Sequence, residues 1–208
     1  MSQVRNFDTF TRAIIALGGN LLSQAGPPAV TLNRATEDLS IAGVHLRWVS
    51  PFFETPCFPK ETGPDYVNAV VVVSTDLPPP ILLNHLHTIE YKFDRERKNR
   101  WGNRTLDLDL LAYGDLVLPD HRKFNTWCGL NLEQQATRTP AELILPHPRL
   151  HERGFVLVPM ARVAPDWRHP VLKKSVLEML EDLPPAALEG IREIETLEIR
   201  TLATVYVD

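Results

Sequence analysis

The sequence predicts a domain that combines β-strands and α-helices, because both kinds of apolar pattern occur along one chain. Residues 12–17 and 66–74 are apolar runs of strand length, and runs of this kind favour buried strands. Residues 28–41 and 81–93 carry their apolar side chains at helical spacing, which favours helices. The chain has 208 residues, 44% of them apolar, which is enough for one domain with an ample core.

Composition excludes several classes of protein. The net charge of −4 at pH 7 argues against a general nucleic-acid binder. The two cysteines, Cys57 and Cys128, show neither the spacing of a zinc site nor a disulfide framework. The N-terminus lacks the apolar core of a signal peptide, and the longest apolar run, residues 69–73, is too short to span a bilayer. We therefore expect a cytoplasmic protein with no membrane partner and no nucleic-acid partner.

The most informative stretch is residues 95–109, RERKNRWGNRTLDLD. Its first part holds four arginines, contains Gly102 and Asn103 and has no apolar period, so it is predicted to be a mobile loop. Its second part alternates leucine and aspartate, which is the pattern of a strand. Asp107 and Asp109 are then expected to project side by side from one face, because side chains two apart in a strand share a face.

This stretch has two interpretations. Adjacent carboxylates repel each other unless a cation neutralises them, and Mg²⁺ accepts one or two protein carboxylates beside water and phosphate oxygens. Arginine guanidinium groups are suited to bind phosphate with two hydrogen bonds, so the stretch predicts a magnesium and polyphosphate site under a basic loop. The alternative is an edge strand with solvated acids beside a solvated basic loop.

The rest of the chain is predicted in outline. Strand patterns occur at residues 44–53, where Pro51 indicates an edge or a bulge, and at 115–119, and helix patterns occur at 156–163 and 175–183. Residues 121–142 show little apolar periodicity and are expected to form an inserted surface loop or lid.

Three polar side chains have two interpretations each. Asn68 shares a face with Tyr66 in the predicted strand, where an amide is either a satisfied structural group or a group that binds a ligand. His147 and His151 are four residues apart, a spacing that could hold a metal on a helix. Prolines flank His147 and no HExxH motif is present, so zinc is the minor alternative.

Five motifs occur in one order: LGGN at residues 17–20, ETP at 54–56, PDYVNA at 64–69, RWGNRTLDLD at 100–109 and LPHPRLHERGF at 145–155. With them the chain resembles the 6-hydroxymethyl-7,8-dihydropterin pyrophosphokinase family of folate synthesis, over about residues 13–170. The resemblance implies an α+β, ferredoxin-like three-layer fold with a mostly antiparallel central sheet and helices on both faces. It also implies a single domain, with a core of about 13–170, an inserted loop at 121–142 and a C-terminal extension at 171–208.

The activity that the resemblance implies is a magnesium-dependent transfer of diphosphate from ATP to the hydroxymethyl group of 6-hydroxymethyl-7,8-dihydropterin, with release of AMP. Two Mg²⁺ ions are expected, held by Asp107 and Asp109, and ATP is the co-substrate. Arg95 and Arg97 join these aspartates as implied catalytic residues. Contact with neighbouring folate enzymes is left open.

The resemblance also implies two sets of binding residues. For ATP they are Glu90, Arg100, Trp101, Arg104, Leu110, His147 and Arg153. For the pterin they are Thr55, Pro56, Phe58, Tyr66, Asn68, Trp101 and Phe155. Within the second set, the rings of Tyr66 and Phe155 are implied to sandwich the pterin, while Asn68 binds its polar edge.

Two rival functions are weighed against this activity. One is a non-catalytic nucleotide- or RNA-binding module on the same sheet, which the acidic net charge and the carboxylate pair oppose. The other is a paralogue without activity, because His87 and Ile144 stand where a glutamine and a threonine are frequent in the family. Magnesium-dependent formation of AMP that requires the pterin would separate the enzyme from both.

Overall fold

The computed structural model describes residues 10–57, 63–93 and 104–195. These ranges contain a six-stranded sheet made of β1 (Thr11–Gly19), β2 (Val44–Val49), β3 (Phe53–Thr55), β4 (Tyr66–Thr75), β5 (Asp107–Tyr113) and β6 (Arg192–Glu193). The strand order is β5-β1-β4-β3-β6, and β2 pairs with the other half of β4. Every pairing is antiparallel, which confirms the predicted character of the sheet.

Helices cover both faces of this sheet. The first face carries α1 (Pro28–Asp38) and α2 (Pro79–Lys92), and the second carries α5 (Gly154–Val163) and α6 (Val176–Glu181). Alternate residues of each strand supply the two cores: Ile15 and Val71 pack in the first cluster, Ile14 and Val72 in the second. The predicted three-layer α+β architecture is therefore confirmed.

The first turns of three helices contain residues that favour a helix start. Pro28 opens α1 and Pro79 opens α2, and a proline in the first turn lacks only an amide hydrogen that would have no partner inside the helix. Ser175 and Glu178 form a capping box at the start of α6. None of the helices in the described part of the chain combines the length and the apolar character that a membrane span requires.

The strand predicted at residues 115–119 is wrong. The chain turns at Gly114, and Leu118 then makes a single bridge with Leu145. The two residues exchange backbone hydrogen bonds of 2.9 and 3.1 Å. Residues 115–119 therefore make one bridge instead of adding a strand to the sheet.

The loop predicted at residues 121–142 is also corrected. This segment contains two short helices, α3 (His121–Cys128) and α4 (Leu132–Thr137). The side chain of Asp120 accepts a hydrogen bond from the backbone N–H of Lys123, and Asn131 starts a capping box with Gln134. Capping side chains stabilise helix starts even where apolar periodicity is weak, which is why the periodicity did not reveal these helices.

Three parts of the chain meet at Asn20, which follows β1. Its side-chain Oδ1 accepts from the backbone N–H of Arg104 at 2.8 Å, and its Nδ2 donates to the carbonyl of Pro64 at 3.0 Å. The backbone N–H of Asn20 in turn donates to the carbonyl of Arg104 at 2.8 Å. Because Pro64 lies just before β4 and Arg104 just before β5, Asn20 holds the starts of both strands against the end of β1.

The two glycines before Asn20 allow this close approach. A Cβ on Gly19 would lie 2.5 Å from the carbonyl oxygen of Thr105, and a Cβ on Gly18 would lie 2.8 Å from Oδ1 of Asn68. Neither distance leaves room for a side chain, so the LGGN motif is explained by packing at the end of the sheet.

Replacement of Asn20 by alanine should destabilise the protein. It leaves the N–H of Arg104 and the carbonyl of Pro64 without a side-chain partner at a site that is 4% exposed, and a buried polar group without a partner costs about 1–3 kcal/mol. Urea denaturation checks this, with Asn33→Ala on the exposed face of α1 as the matched control. Equal free energies of unfolding for the two variants would contradict the role given to Asn20.

Candidate active site

A row of four paired residues, here called the Gly18 row, crosses the sheet at one end. Phe53 pairs with Asn68, Asn68 with Gly18, and Gly18 with Asp107. Residues that pair across strands project from the same face, and neighbouring strands lie about 4.8 Å apart. The backbones of Asn68 and Asp107 are therefore about 10 Å apart, and the missing side chain of Gly18 makes room for the amide of Asn68 between them.

The two aspartates project from the face that the sequence alternation predicted. Leu108 and Leu110 belong to the core under α1 and α2, so Asp107 and Asp109, which alternate with them, lie on the side of α5. Their side chains are 22% and 41% exposed. They are thus held on a strand at the sheet surface, with their oxygens accessible to a ligand.

Each of these carboxylates faces an arginine. Nη1 of Arg104 donates to Oδ2 of Asp107, and Nη1 of Arg153, just before α5, lies 4.0 Å from Oδ2 of Asp109. Burial lowers the pKa of Arg153, and Asp109 opposes that effect. Arginine stays protonated at neutral pH even after such a shift, so the site holds two cations beside two anions.

His147 is oriented by two backbone contacts. The backbone N–H of His147 donates to the carbonyl of Leu111 at 2.7 Å, and its ring Nδ1 accepts from the backbone N–H of Arg149 at 3.2 Å. Burial, together with the positive charges of Arg153 and Arg149, lowers the pKa of His147 to about 3. The neutral ring therefore carries its hydrogen on Nε2, which makes it an uncharged hydrogen-bond donor at neutral pH.

The other end of the row is built around Asn68. Its Nδ2 donates to Oγ1 of Thr55 at 2.7 Å, and both side chains are buried, at 8% and 4% exposure. The carboxylate of Asp65 accepts from the N–H of Cys57 at 3.2 Å, which holds the chain after Thr55. The amide of Asn68 is therefore fixed with its Oδ1 beside Gly18.

Two aromatic side chains lie on this side of the sheet. Tyr66 is half-buried and shares the face of Asn68 in β4, and Phe155 is 40% exposed in the first turn of α5. The guanidinium carbon of Arg153 lies 5.5 Å from the centre of the Phe155 ring. Burial raises the pKa of Tyr66, although the charge of Arg104 lowers it, so its phenol stays protonated at neutral pH.

Two of the residues assigned to ATP lie behind the carboxylates. Leu110 is 3% exposed in the core under α1 and α2. Glu90, on α2, is 1% exposed, and its Oε1 accepts from the backbone N–H of Leu108 at 2.7 Å. The structure therefore places both side chains on the opposite face of β5 from Asp107 and Asp109, where Glu90 holds the strand in place.

Five of the predicted site residues lie outside the described residues: Phe58, Arg95, Arg97, Arg100 and Trp101. Among the described ones, the structure brings Arg104, Asp107, Asp109, His147 and Arg153 to one end of the Gly18 row, and Thr55, Pro56, Tyr66 and Asn68 to the other. Sequence reasoning gave no role to Asn20. Its only local signal was an amide directly after two glycines at the end of a strand.

The donor set suits a hard cation. In the parts of the chain that the structure describes, no group of three or more His, Cys, Asp or Glu side chains could hold a metal ion. Asp107 and Asp109 offer carboxylate oxygens on one strand face, and a pair of protein carboxylates is what Mg²⁺ takes when water and phosphate complete its shell. The residues present therefore fit magnesium bound together with a phosphate ligand.

Solved structures show the same fold. A crystal structure described as Plasmodium falciparum HPPK-DHPS superposes with a TM-score of 0.54 at 15% identity, over 82% of this chain and 43% of that one. This chain thus spans less than half the length of that protein. The comparison supports the ferredoxin-like α+β fold.

Sequence comparisons identify the family. The chain matches the 7,8-dihydro-6-hydroxymethylpterin-pyrophosphokinase family over residues 14–165. The 2-amino-4-hydroxy-6-hydroxymethyldihydropteridine pyrophosphokinase of Synechocystis sp. is 37% identical over 177 residues, which cover 85% of this chain and 78% of the relative. The Haemophilus influenzae protein of the same name is 36% identical over 155 residues, covering 74% and 82%. The chain therefore belongs to the 7,8-dihydro-6-hydroxymethylpterin-pyrophosphokinase family and is an ATP-dependent pyrophosphokinase of folate synthesis.

Proposed function

We propose that this chain transfers the diphosphate of ATP to the hydroxymethyl oxygen of 6-hydroxymethyl-7,8-dihydropterin in a magnesium-dependent reaction that releases AMP. The observation that carries this proposal is the Gly18 row. It sets a fixed amide, Asn68, and a strand-bound carboxylate, Asp107, on the same face with one residue between them that has no side chain. A flat heterocycle held at the first group would point a short substituent toward the second.

The pterin end follows from the contacts of Asn68. Because its Nδ2 donates to Thr55, its Oδ1 is the atom presented to the ligand, and it can accept from a ring N–H or an amino group. The rings of Tyr66 and Phe155 would hold the faces of the heterocycle, since stacked aromatic contacts bind flat bases without regard to their polar edge. Thr55 and Pro56 line the same end, and Phe58 and Trp101 are proposed to complete it.

The phosphate end follows from charge. Arg104, Arg153 and the Nε2–H of His147 are donors close to the two aspartates, and phosphoryl transfer depends on positioning and charge neutralisation more than on covalent help. Magnesium, proposed as two ions on Asp107 and Asp109, would neutralise phosphate charge and lower the pKa of the attacking hydroxyl. The basic loop is proposed to close over ATP through Arg95, Arg97, Arg100 and Trp101.

Glu90 and Leu110 fit this proposal only indirectly. Their side chains lie behind β5, so they would act on ATP by fixing the strand that carries the carboxylates. Contact with neighbouring folate enzymes stays a prediction, because the structure is of this chain alone.

The direct test is an assay of product formation. AMP should form from ATP only when both the dihydropterin and magnesium are present, in equal amount to the diphosphorylated pterin. A nucleotide- or RNA-binding module would bind ATP without forming AMP. AMP formed at the same rate without the pterin would also contradict the proposal.

Asp107→Asn and Asp109→Asn should each lower the turnover rate by a factor of at least about 10², since loss of one group that stabilises the transition state typically costs about 10²–10³ in rate. The amide keeps the shape of the side chain but removes the charge that binds a cation. Steady-state kinetics at several magnesium concentrations measures the effect. Asp115→Asn, an exposed residue in the turn after β5, is the control and should turn over normally.

Tyr66→Ala and Phe155→Ala should raise the KM for the pterin, at saturating ATP, far more than they raise the Kd for ATP. Stacking against an aromatic side chain is worth roughly 1–3 kcal/mol by analogy with nucleic-acid bases, which is about a five- to 150-fold change. Phe10→Ala is the matched control, because Phe10 is exposed at the opposite end of β1. An equal loss of affinity for the pterin and for ATP would mean that the variants disturb the fold instead.

The neutral state of His147 predicts a pH dependence of stability. Unfolded histidine takes up a proton near pH 6.5, whereas the pKa of His147 in the folded protein is about 3. The unfolded state therefore binds the extra proton first, so the free energy of unfolding should fall as the pH is lowered from about 6.5 toward 3.

Denaturation curves between pH 7 and pH 4 measure this dependence. In His147→Gln the folded and unfolded states no longer differ at this position, so its stability should fall less steeply with pH than that of the unchanged protein. Parallel curves for the two proteins would show that His147 is not held neutral.

A further inference from the structure

The C-terminal extension, which sequence analysis leaves without a role, crosses the pterin end of the candidate site. Residues 184–193, here called the C-terminal strap, run through a 3₁₀ turn, Pro185–Ala187, to strand β6. In β6, Arg192 pairs with Glu54 and Glu193 pairs with Phe53. The strap therefore forms the next strand of the sheet beside β3, and β3 carries Thr55.

The strap also touches both sides of the proposed pterin slot, which is the space between Thr55 and Pro56 on the β3 side and Phe155 on the α5 side. A Cβ on Gly190, which has a φ of +76°, would lie 2.6 Å from Cγ of Pro56, next to Thr55. A Cβ on Gly154 would lie 2.1 Å from the carbonyl oxygen of Ala187, and Gly154 directly precedes Phe155. One short segment thus contacts the β3 side through Gly190 and the α5 side through Ala187.

Ion pairs repeat this division between the two sides. Nη2 of Arg192 lies 2.9 Å from Oε2 of Glu54 on β3, and Oε2 of Glu193 lies 3.0 Å from Nη1 of Arg162 on α5. The two neighbouring residues of β6 are therefore attached to different elements. The N–H of Ile194 adds a backbone hydrogen bond of 2.8 Å to the carbonyl of Phe52.

We propose that the C-terminal strap sets the width of the pterin slot by holding β3 and the start of α5 at a fixed separation. This inference rests on the proposed function. It makes Arg192 and Glu193 positioning residues, which act on the pterin through Thr55, Pro56 and Phe155. β3 is only three residues long, so its position depends on pairing along both of its edges.

The strap should affect one substrate and not the other. Arg104, Asp107 and Asp109 lie at the far end of the Gly18 row, on and before β5, and the strap pairs only with β3 among the described strands. Loosening the strap should therefore weaken the pterin complex while it leaves the ATP end unchanged. A general loss of stability would affect both ends.

The test reverses both charges of β6. In Arg192→Glu/Glu193→Lys each attractive ion pair becomes a repulsive one. We expect the KM for the pterin at saturating ATP to rise about three- to tenfold. A rise is expected because a small displacement of the binding groups weakens their contacts, and it stays moderate because exposed ion pairs contribute little individually. The Kd for ATP, titrated without pterin, should change less than twofold. Adding Glu54→Arg and Arg162→Glu restores both pairs with inverted charge and should restore the KM.

The matched control is Lys123→Glu/Asp166→Lys, which breaks two exposed ion pairs elsewhere, with Glu142 and Arg12, at the same net charge. It should leave both substrates unaffected. If the double reversal does not fold, Arg192→Ala/Glu193→Ala gives the same comparison without repulsion.

Each outcome separates the two proposals. If the protein without substitutions forms no AMP in the presence of the pterin, the proposed function is overturned, whatever the strap does. An active protein whose reversed variant keeps its pterin KM, or loses ATP affinity in proportion, overturns the role of the strap and leaves the function in place. A selective rise in pterin KM that the compensating changes repair supports both.

Discussion

The candidate site depends on the missing side chain at Gly18. This residue lies in strand β1, between Asn68 of β4 and Asp107 of β5, and a Cβ there would lie 2.8 Å from the amide oxygen of Asn68. A larger residue would have to displace that amide from Thr55. The spacing between the pterin end and the phosphate end is therefore set by backbone hydrogen bonds of the sheet, which are less adjustable than side-chain contacts.

What could be predicted from the sequence was local. The alternation of residues 106–110 indicated which face carries the carboxylates, because a strand has a period of two. The same alternation placed Leu110 on the opposite face, and the structure agrees with it, whereas the resemblance alone grouped Leu110 with the ATP residues. The position of the Leu110 side chain is thus confirmed, and its role toward ATP stays a prediction.

What could not be predicted depends on contacts between distant parts of the chain. The side chain of Asn20 bonds to residues 44 and 84 positions away, and no local pattern marks such partners. β6 is two residues long and exists through pairing with β3, so the C-terminal strap was invisible in the sequence. The helices of residues 121–142 were missed for a different reason, since they begin with capping side chains instead of an apolar period.

The charges of the site explain how it stays stable before substrates bind. Two carboxylates two residues apart on a strand repel each other, but Arg104 pairs with Asp107 and Arg153 lies near Asp109. In the proposed reaction the arginines would turn to phosphate oxygens and the carboxylates to a cation. This exchange replaces each ionic contact by another, so no charge loses a partner as ATP binds. Groups that are already oriented need little rearrangement in the transition state, and here Gly18 in β1, Asn20 after β1 and Glu90 on α2 provide that orientation.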